Sequence, residues 1–214
     1  MTSTDVVDRW LATWRHLRDL PAEQMDGWPL VRVGSVTRET ELICTDPGVE
    51  EFERLQRRVA GDPRAMLTVV GTDLAGYRAR PPIERVRVDR DDETLMSTTL
   101  RPLPRATLPD GLTERWTVEG PRVTYAVESG ERIVASGTTG VCGRDMTLDS
   151  VETIPSHRRR GLGRLVMARL TDRATVLGAT TGVLAASADG RALYEDLGWT
   201  VEAELLSLMG TAES

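Results

Sequence analysis

Apolar residues at Val7, Trp10, Leu11, Trp14 and Leu17, with Asp8, Arg9, Arg15 and Arg18 between them, recur at the spacing of one helical face. Residues 4–20 therefore predict an amphipathic helix that packs through its two tryptophans. The apolar stretch GWPLVRVG (27–34) precedes ETELICT (39–45), a strand-like segment that runs into Asp46-Pro47-Gly48. A second helix is expected from Val49 to Ala60, and AMLTVV (65–70) reads as a short buried strand.

The second half is more regular. Glu114 to Val118, Arg122 to Glu128 and Arg132 to Thr139 alternate with the two-residue period of antiparallel strands, and Ser129-Gly130 supplies the tight turn between the last two. Met146 to Ile154 is a fourth strand. After a basic loop, a helix from about Gly161 to Leu177 carries the apolar stripe Leu162, Val166, Met167, Leu170, Ala174 and Leu177, and Gly178 closes it. A buried strand (Thr181 to Ala186), a short helix (Arg191 to Leu197) and a last strand (Thr200 to Leu208) follow. Between the halves, Arg78 to Asp110 holds Pro81, Pro82, Pro102, Pro104 and Pro109, although Glu93 to Leu100 still forms a strand. This marks the expected boundary: an N-terminal α/β region over 1–105 and a second domain over 106–214.

Composition narrows the classes. With 214 residues, 40% of them apolar and 28% charged, the chain is long enough for a substantial globular core. All 27 basic residues are arginine, with neither lysine nor asparagine, which points to a GC-rich, actinomycete-like bacterial genome. A net charge of −6 argues against nucleic acid as a partner. Cys44 and Cys142 stand far apart without a CxxC partner, so neither a disulfide framework nor a metal site is expected. The longest uncharged run, Ala174 to Ala188, is shorter than the roughly 20 apolar residues of a membrane span. The start of the sequence has Asp5 and Asp8 and lacks the basic-then-apolar order of a signal peptide. The expectation is a cytoplasmic protein without a membrane partner; a homodimer stays open.

One stretch departs from the acidic average: PSHRRRGLGR (155–164) has four arginines and two glycines. The order strand, arginine-rich turn, helix places the free N–H groups of the first helical turn beside Arg158, Arg159 and Arg160, where an anion is favoured. Side chains at Gly161 or Gly163 would obstruct the approach of a diphosphate to the backbone. One helix terminus stabilises an anion by only about 0.3–1 kcal/mol, and each hydrogen bond to a charged group adds about 1.5–3 kcal/mol, so several donors must act together. A P-loop needs a lysine the chain lacks, and a GxGxxG fingerprint needs glycine where Val166 stands. The alternative is a solvated basic turn.

Arg158-x-x-Gly161-x-Gly163 resembles the R/Q-x-x-G-x-G/A coenzyme A motif of the GNAT superfamily of N-acetyltransferases. TLDSVETIP before the loop, the helix after it, GVLAAS and GRALYEDLGW occur in that family's order, so the resemblance covers about residues 112–209. It implies an α/β (α+β) fold with a central mixed, mostly antiparallel twisted sheet flanked by helices and splayed at the acyl-CoA site. It implies acetyl-CoA as co-substrate without a metal, an amine acceptor on a small molecule or peptide, and direct transfer in a ternary complex. Residues 158–163, with Arg164 closing the basic turn and Leu162 opening the helix, would hold the pyrophosphate, and strand 146–154 would pair with the pantetheine arm. Ser187 stands where the family commonly has asparagine to contact the coenzyme, and Gly190 where it often has alanine.

Transfer needs a neutral amine, a stabilised oxyanion and a proton for the departing thiolate. Tyr194 aligns with the family's frequent general-acid tyrosine; its alternative is an aromatic core residue. By strict alternation Met146, Leu148, Ser150, Glu152 and Ile154 share one face, so Glu152 is expected among apolar neighbours, where burial would make it a better base. The alternative is a carboxylate paired with an arginine. A backbone N–H of Thr153 or Ile154 would polarise the thioester carbonyl. His16, His157 and Cys142 lack catalytic partners and are expected to be surface or structural residues.

The first hundred residues exceed the family's usual opening. The order strand, helix, strand over 39–70 repeats that of the second half and admits a degenerate copy of the same fold; an unrelated extension is the alternative. Asp46, Glu50, Glu51 and Glu53 occupy the helix start where the second half has arginines, and would repel a phosphate. A non-catalytic acyl-CoA sensor or partner-binding module, and transfer of a longer acyl group, are the rival functions.

Overall fold

The computed structural model describes residues 3–103 and 106–212; Pro104 and Arg105, at the expected domain boundary, lie outside them. The chain runs α1 (Ser3–Arg18), β1 (Ala22–Met25), β2 (Trp28–Arg32), β3 (Thr40–Thr45), α2 (Val49–Val59), β4 (Ala65–Gly71), α3 (Ala75–Arg78), β5 (Val86–Thr99), β6 (Thr113–Glu119), β7 (Arg122–Ser129), β8 (Arg132–Cys142), β9 (Asp145–Thr153), α4 (Leu162–Val176), β10 (Thr181–Ala186), α5 (Ala188–Asp196) and β11 (Thr200–Gly210). One sheet of eleven strands holds them all, in the order β1-β2-β3-β4-β11-β5-β10-β9-β8-β7-β6. Only β3/β4 and β9/β10 pair in parallel, each joined by a helix. The sheet is thus mixed and largely antiparallel, as expected.

Its centre is made by exchange. β5 lies between β10 and β11, pairing antiparallel with both, and β11 lies between β4 and β5. A strand from each side of the proline-rich junction is therefore inserted beside the other side's parallel pair. Burial fixes the faces. Val7, Trp10, Leu11 and Trp14 of α1 pack on Ile43, Leu95, Val183 and Leu205, whereas α4 and α2 cover the other face through two further cores, one with Met96, Leu184 and Ala186 and one with Leu42, Leu67 and Leu206. Two ion pairs fasten α1 lengthwise to β9: Arg9 to Asp145 (2.6 Å) and Arg18 to Asp149 (2.7 Å).

Several elements differ from the sequence-based expectation: α5 starts at Ala188 rather than Arg191, and α3 has no counterpart in the local pattern. β5 begins at Val86 rather than near Glu93, although RVDRDDE (87–93) shows no apolar alternation; pairing with the far half of β11, interrupted by register shifts, holds it extended. β1, too polar to be recognised, forms only because it pairs with β2. Among the described residues no helix is long and apolar enough to cross a membrane.

α4 approaches the sheet most closely at Gly137 of β8. A methyl group there would stand 2.9 Å from Val166 Cγ1, 3.0 Å from Leu170 Cδ1 and 3.1 Å from Val151 Cγ2. Gly137→Ala is expected to push α4 outward and cost about 1–3 kcal/mol; urea unfolding of the variant beside the parent protein measures it.

Candidate active site

β9 and β10 pair only at Asp145/Thr181 and Met146/Gly182, and then part. Past that point a bulge interrupts β9, with Ser150 at φ 53° and the register against β8 slipping between Asp149 and Glu152. The slip reverses the alternation expected for residues 146–154. Val151 now meets Val166 and Leu170 over Gly137, and Glu152 is exposed. The apolar enclosure expected around Glu152 is not formed, because one extra residue in the strand turns every later side chain to the opposite face.

The same ladder distinguishes the two backbone amides of Thr153 and Ile154. The Ile154 N–H donates to the Val134 carbonyl at 3.0 Å and is committed to β8. Peptide N–H groups alternate between the two sides of a strand, so the Thr153 N–H is directed to the side on which β10 has drawn away.

Beyond β9, Pro155–His157 form a 3-10 turn, and the chain reaches α4 through Arg159 and Gly161, both at positive φ (61° and 79°). This turn leaves an unusual run of donors. The first amide in this segment to find an intrahelical partner is that of Leu165, which bonds the Gly161 carbonyl at 3.0 Å. No protein acceptor among the described residues takes the N–H groups of Arg159, Arg160, Gly161, Leu162, Gly163 and Arg164, and no side chain caps the helix. The Arg158 guanidinium folds back to the Thr153 carbonyl at 3.1 Å, which holds its positive charge at the end of β9.

These donors open onto a cleft of about 710 Å³ between the start of α4 and the start of α5. Glu152, Thr153, Ile154, Arg158, Arg159, Gly161, Leu162, Gly163 and Ser187 all line it. Three expected site residues do not: Arg160 is exposed to solvent, Arg164 is paired with Asp196 at 2.8 Å, and Tyr194 is buried on the inner side of α5. Ser187 also caps α5, its hydroxyl accepting from the Gly190 N–H at 3.3 Å. His157, expected at the surface, also lines the cleft, as does Asp189, which nothing in the local sequence pattern distinguishes.

Tyr194 is 8% exposed and packs against Trp199, with ring centroids 5.8 Å apart. Burial, helped by the charge of Asp149, pushes its phenol up to about 12, and no protein group among the described residues hydrogen-bonds its hydroxyl. It keeps its proton at any physiological pH. The ring is thus a core residue, as the alternative reading expects, and its hydroxyl has no protein acceptor among the described residues.

Comparison with known proteins bears on this arrangement. The Acetyltransferase (GNAT) family profile matches residues 90–199. The chain belongs to the GNAT family. The family implies an acyl-CoA co-substrate and acetyl transfer to amines in general. Among solved structures, the GNAT chain resembles a GCN5-related N-acetyltransferase from Kribbella flavida (16% identity, covering 100% of this chain and 96% of the other, TM-score 0.68). It also resembles a GNAT-family protein from Novosphingobium aromaticivorans (17% identity, 94% and 97%, TM-score 0.61) and a tandem GNAT protein from the clavulanic acid biosynthesis pathway (12% identity, 89% and 82%, TM-score 0.56). At these identities the likeness is one of fold. No curated protein matches the sequence.

The two loop glycines are constrained differently. Gly161 has open space around it but sits at positive φ, whereas a Cβ on Gly163 would merely touch Leu193 at 3.4 Å. Gly161→Ala is expected to lower stability by about 1 kcal/mol and Gly163→Ala to change it by less than about 0.5 kcal/mol; parallel denaturant titrations of the two variants separate backbone strain from packing.

Proposed function

We propose that this GNAT protein transfers an acetyl group from acetyl-CoA to a primary amine of a small molecule or peptide, by direct attack in a ternary complex. The observation that carries the proposal is the run of six unpaired amides from Arg159 to Arg164, flanked by guanidinium groups and opening onto the cleft beside the parted strands. Such a nest matches the chemistry of a pyrophosphate, which has acceptor oxygens in number and no donors of its own. Arg158 and Arg159 add charge to the amide hydrogen bonds.

In this reading the pantetheine arm runs along β9 where β10 leaves its backbone free. The Thr153 N–H, directed into the gap, polarises the thioester carbonyl and stabilises the oxyanion that forms on it. The Tyr194 hydroxyl gives its proton to the departing thiolate. Glu152 stands on the cleft wall in solvent, so the physical ground for it as the amine's base is lost, and we assign it no proton transfer.

We further propose that residues before the junction are a degenerate copy of the same fold. In support, β3-α2-β4 repeats the parallel strand-helix-strand unit of β9-α4-β10, and the copies exchange their last strands, β5 and β11, at the centre of the sheet. In the first unit the start of the helix carries carboxylates where the second has arginines. Glu51 is held by Trp28 Nε1 and Arg54 (both 3.0 Å), and the Tyr77 hydroxyl donates to the Pro47 carbonyl. We place the protein in a reducing cytoplasm, a choice supported by the free thiols of Cys44 and Cys142.

Titration calorimetry and a free-thiol assay test the activity. Acetyl-CoA is expected to bind, and Arg158→Ala to weaken binding by roughly tenfold or more, the effect of one charge-assisted hydrogen bond. Tyr194→Phe is expected to bind acetyl-CoA normally and to lower kcat by about 100-fold. Because the phenol of the parent protein stays protonated to about pH 12, its rate shows no alkaline loss from this group below about pH 10. Absence of acetyl-CoA binding would overturn the assignment, and binding without thiol release across a broad amine panel would favour a sensor.

A further inference from the structure

On the opposite face of the sheet from the coenzyme cleft, a second cavity of about 180 Å³ lies beneath α1. Leu148 and Asp149 of β9 and Ala185 of β10 border it, while Val151 to Thr153 and Ser187, a few positions further along, border the cleft. The two linings thus approach each other along β9 and β10, near where these strands part.

The cavity is walled by charge in pairs. Arg18 binds both oxygens of Asp149, at 2.7 Å each. Arg38 takes one oxygen of Glu41 at 2.6 Å, and the Thr68 hydroxyl donates to the other, also at 2.6 Å. Arg90 donates to Oε1 of Glu93 at 2.9 Å. Of these six carboxylate oxygens, Oε2 of Glu93 alone has no hydrogen-bond partner among the described residues. The Glu93 side chain is 17% exposed, and burial raises its pKa above the ordinary value against the opposing pull of Arg90. Trp10 and Trp14, stacked with centroids 5.6 Å apart and planes within 10°, form a flat wall.

Three guanidinium groups and three carboxylates cancel, so the cavity does not favour a lone cation or a lone anion. A compact molecule with both signs gains on both counts, its ammonium meeting the open carboxylate oxygen and its own carboxylate meeting a guanidinium. We infer that this cavity is the acceptor site, that it takes a small zwitterionic amine of the amino-acid class, and that Oε2 of Glu93 binds the ammonium and removes the proton that blocks attack. The inference rests on the acyl-CoA reading of the facing cleft.

The protons balance. Glu93 takes one proton from R–NH₃⁺, and the neutral amine attacks the thioester carbon. The C–N bond forms and the C–S bond breaks. The thiolate takes the Tyr194 proton, and the second amine proton, released as the amide forms, restores that tyrosine. Glu93 returns its proton to solvent. The products are R–NH–acetyl, free CoA thiol and one proton.

The test uses the full chain with acetyl-CoA and a panel of proteinogenic amino acids, their methyl esters and simple alkylamines. At least one amino acid is expected to be acetylated, with kcat/KM exceeding that of its methyl ester by about tenfold or more. Glu93→Gln is expected to lower kcat/KM by about 100-fold and to abolish the acid limb of the pH profile, with acetyl-CoA affinity in calorimetry unchanged. That limb in the parent protein reports Glu93 in the field of Arg90, Arg38, Glu41, Arg18 and Asp149. Preference for esters or alkylamines, or a Glu93→Gln variant with the parent's rate and pH profile, overturns the inference while the coenzyme site stands. So does acetyl-CoA binding without turnover of any amino acid. Failure of the parent protein to bind acetyl-CoA overturns the cleft assignment itself, and this inference with it.

Discussion

A sheet cannot normally part between two neighbouring strands, because each N–H and C=O group left unpaired in the gap is costly unless something else satisfies it. Here β9 and β10 separate after two residue pairs, and almost every feature of the candidate site follows from that separation. The bulge at Ser150 bends β9 away, the Thr153 amide is directed into the opening, and cavities on the two faces of the sheet come within a few residues of each other. In the proposed reading the pantetheine arm fits such a gap, because its amide groups can pair with backbone groups that have lost their partners.

The opening is tolerated because its two edges are held independently. β9 is fixed by β8 on one side and by the Arg9–Asp145 and Arg18–Asp149 pairs to α1. β10 is held by β5, and β5 in turn by β11. That second support comes from strand exchange between the two halves, so neither half has a complete sheet without the other. The first half thus serves the site at a distance: through β5 it braces β10, and through Glu93, Glu41 and α1 it walls the space under the gap.

The anion nest and the cavity under α1 work by different physics. At the nest, backbone amides and arginines present one sign of charge, so an anion there would draw on many donors at once. Under α1 the charges cancel, and what distinguishes Glu93 is a single carboxylate oxygen without a partner among the described residues, where five others are engaged.

Local pattern alone was enough for the helices α1, α2 and α4, the β6–β8 meander and the nest, since each depends on neighbours within a few residues: a 3.6-residue stripe, a two-residue alternation, or glycines and arginines ahead of a helix. It was not enough for the exposure of Glu152, because a one-residue bulge reverses a face without any mark in composition. Nor could it show that β5 and β11 cross between halves, or that Glu93, in a charged stretch with no alternation, ends under α1 beside residues from β3 and β9. Those placements depend on pairing between segments more than a hundred residues apart, as with Leu205 and Glu93. The free energy of such pairing belongs to the assembled sheet and is absent from either segment by itself.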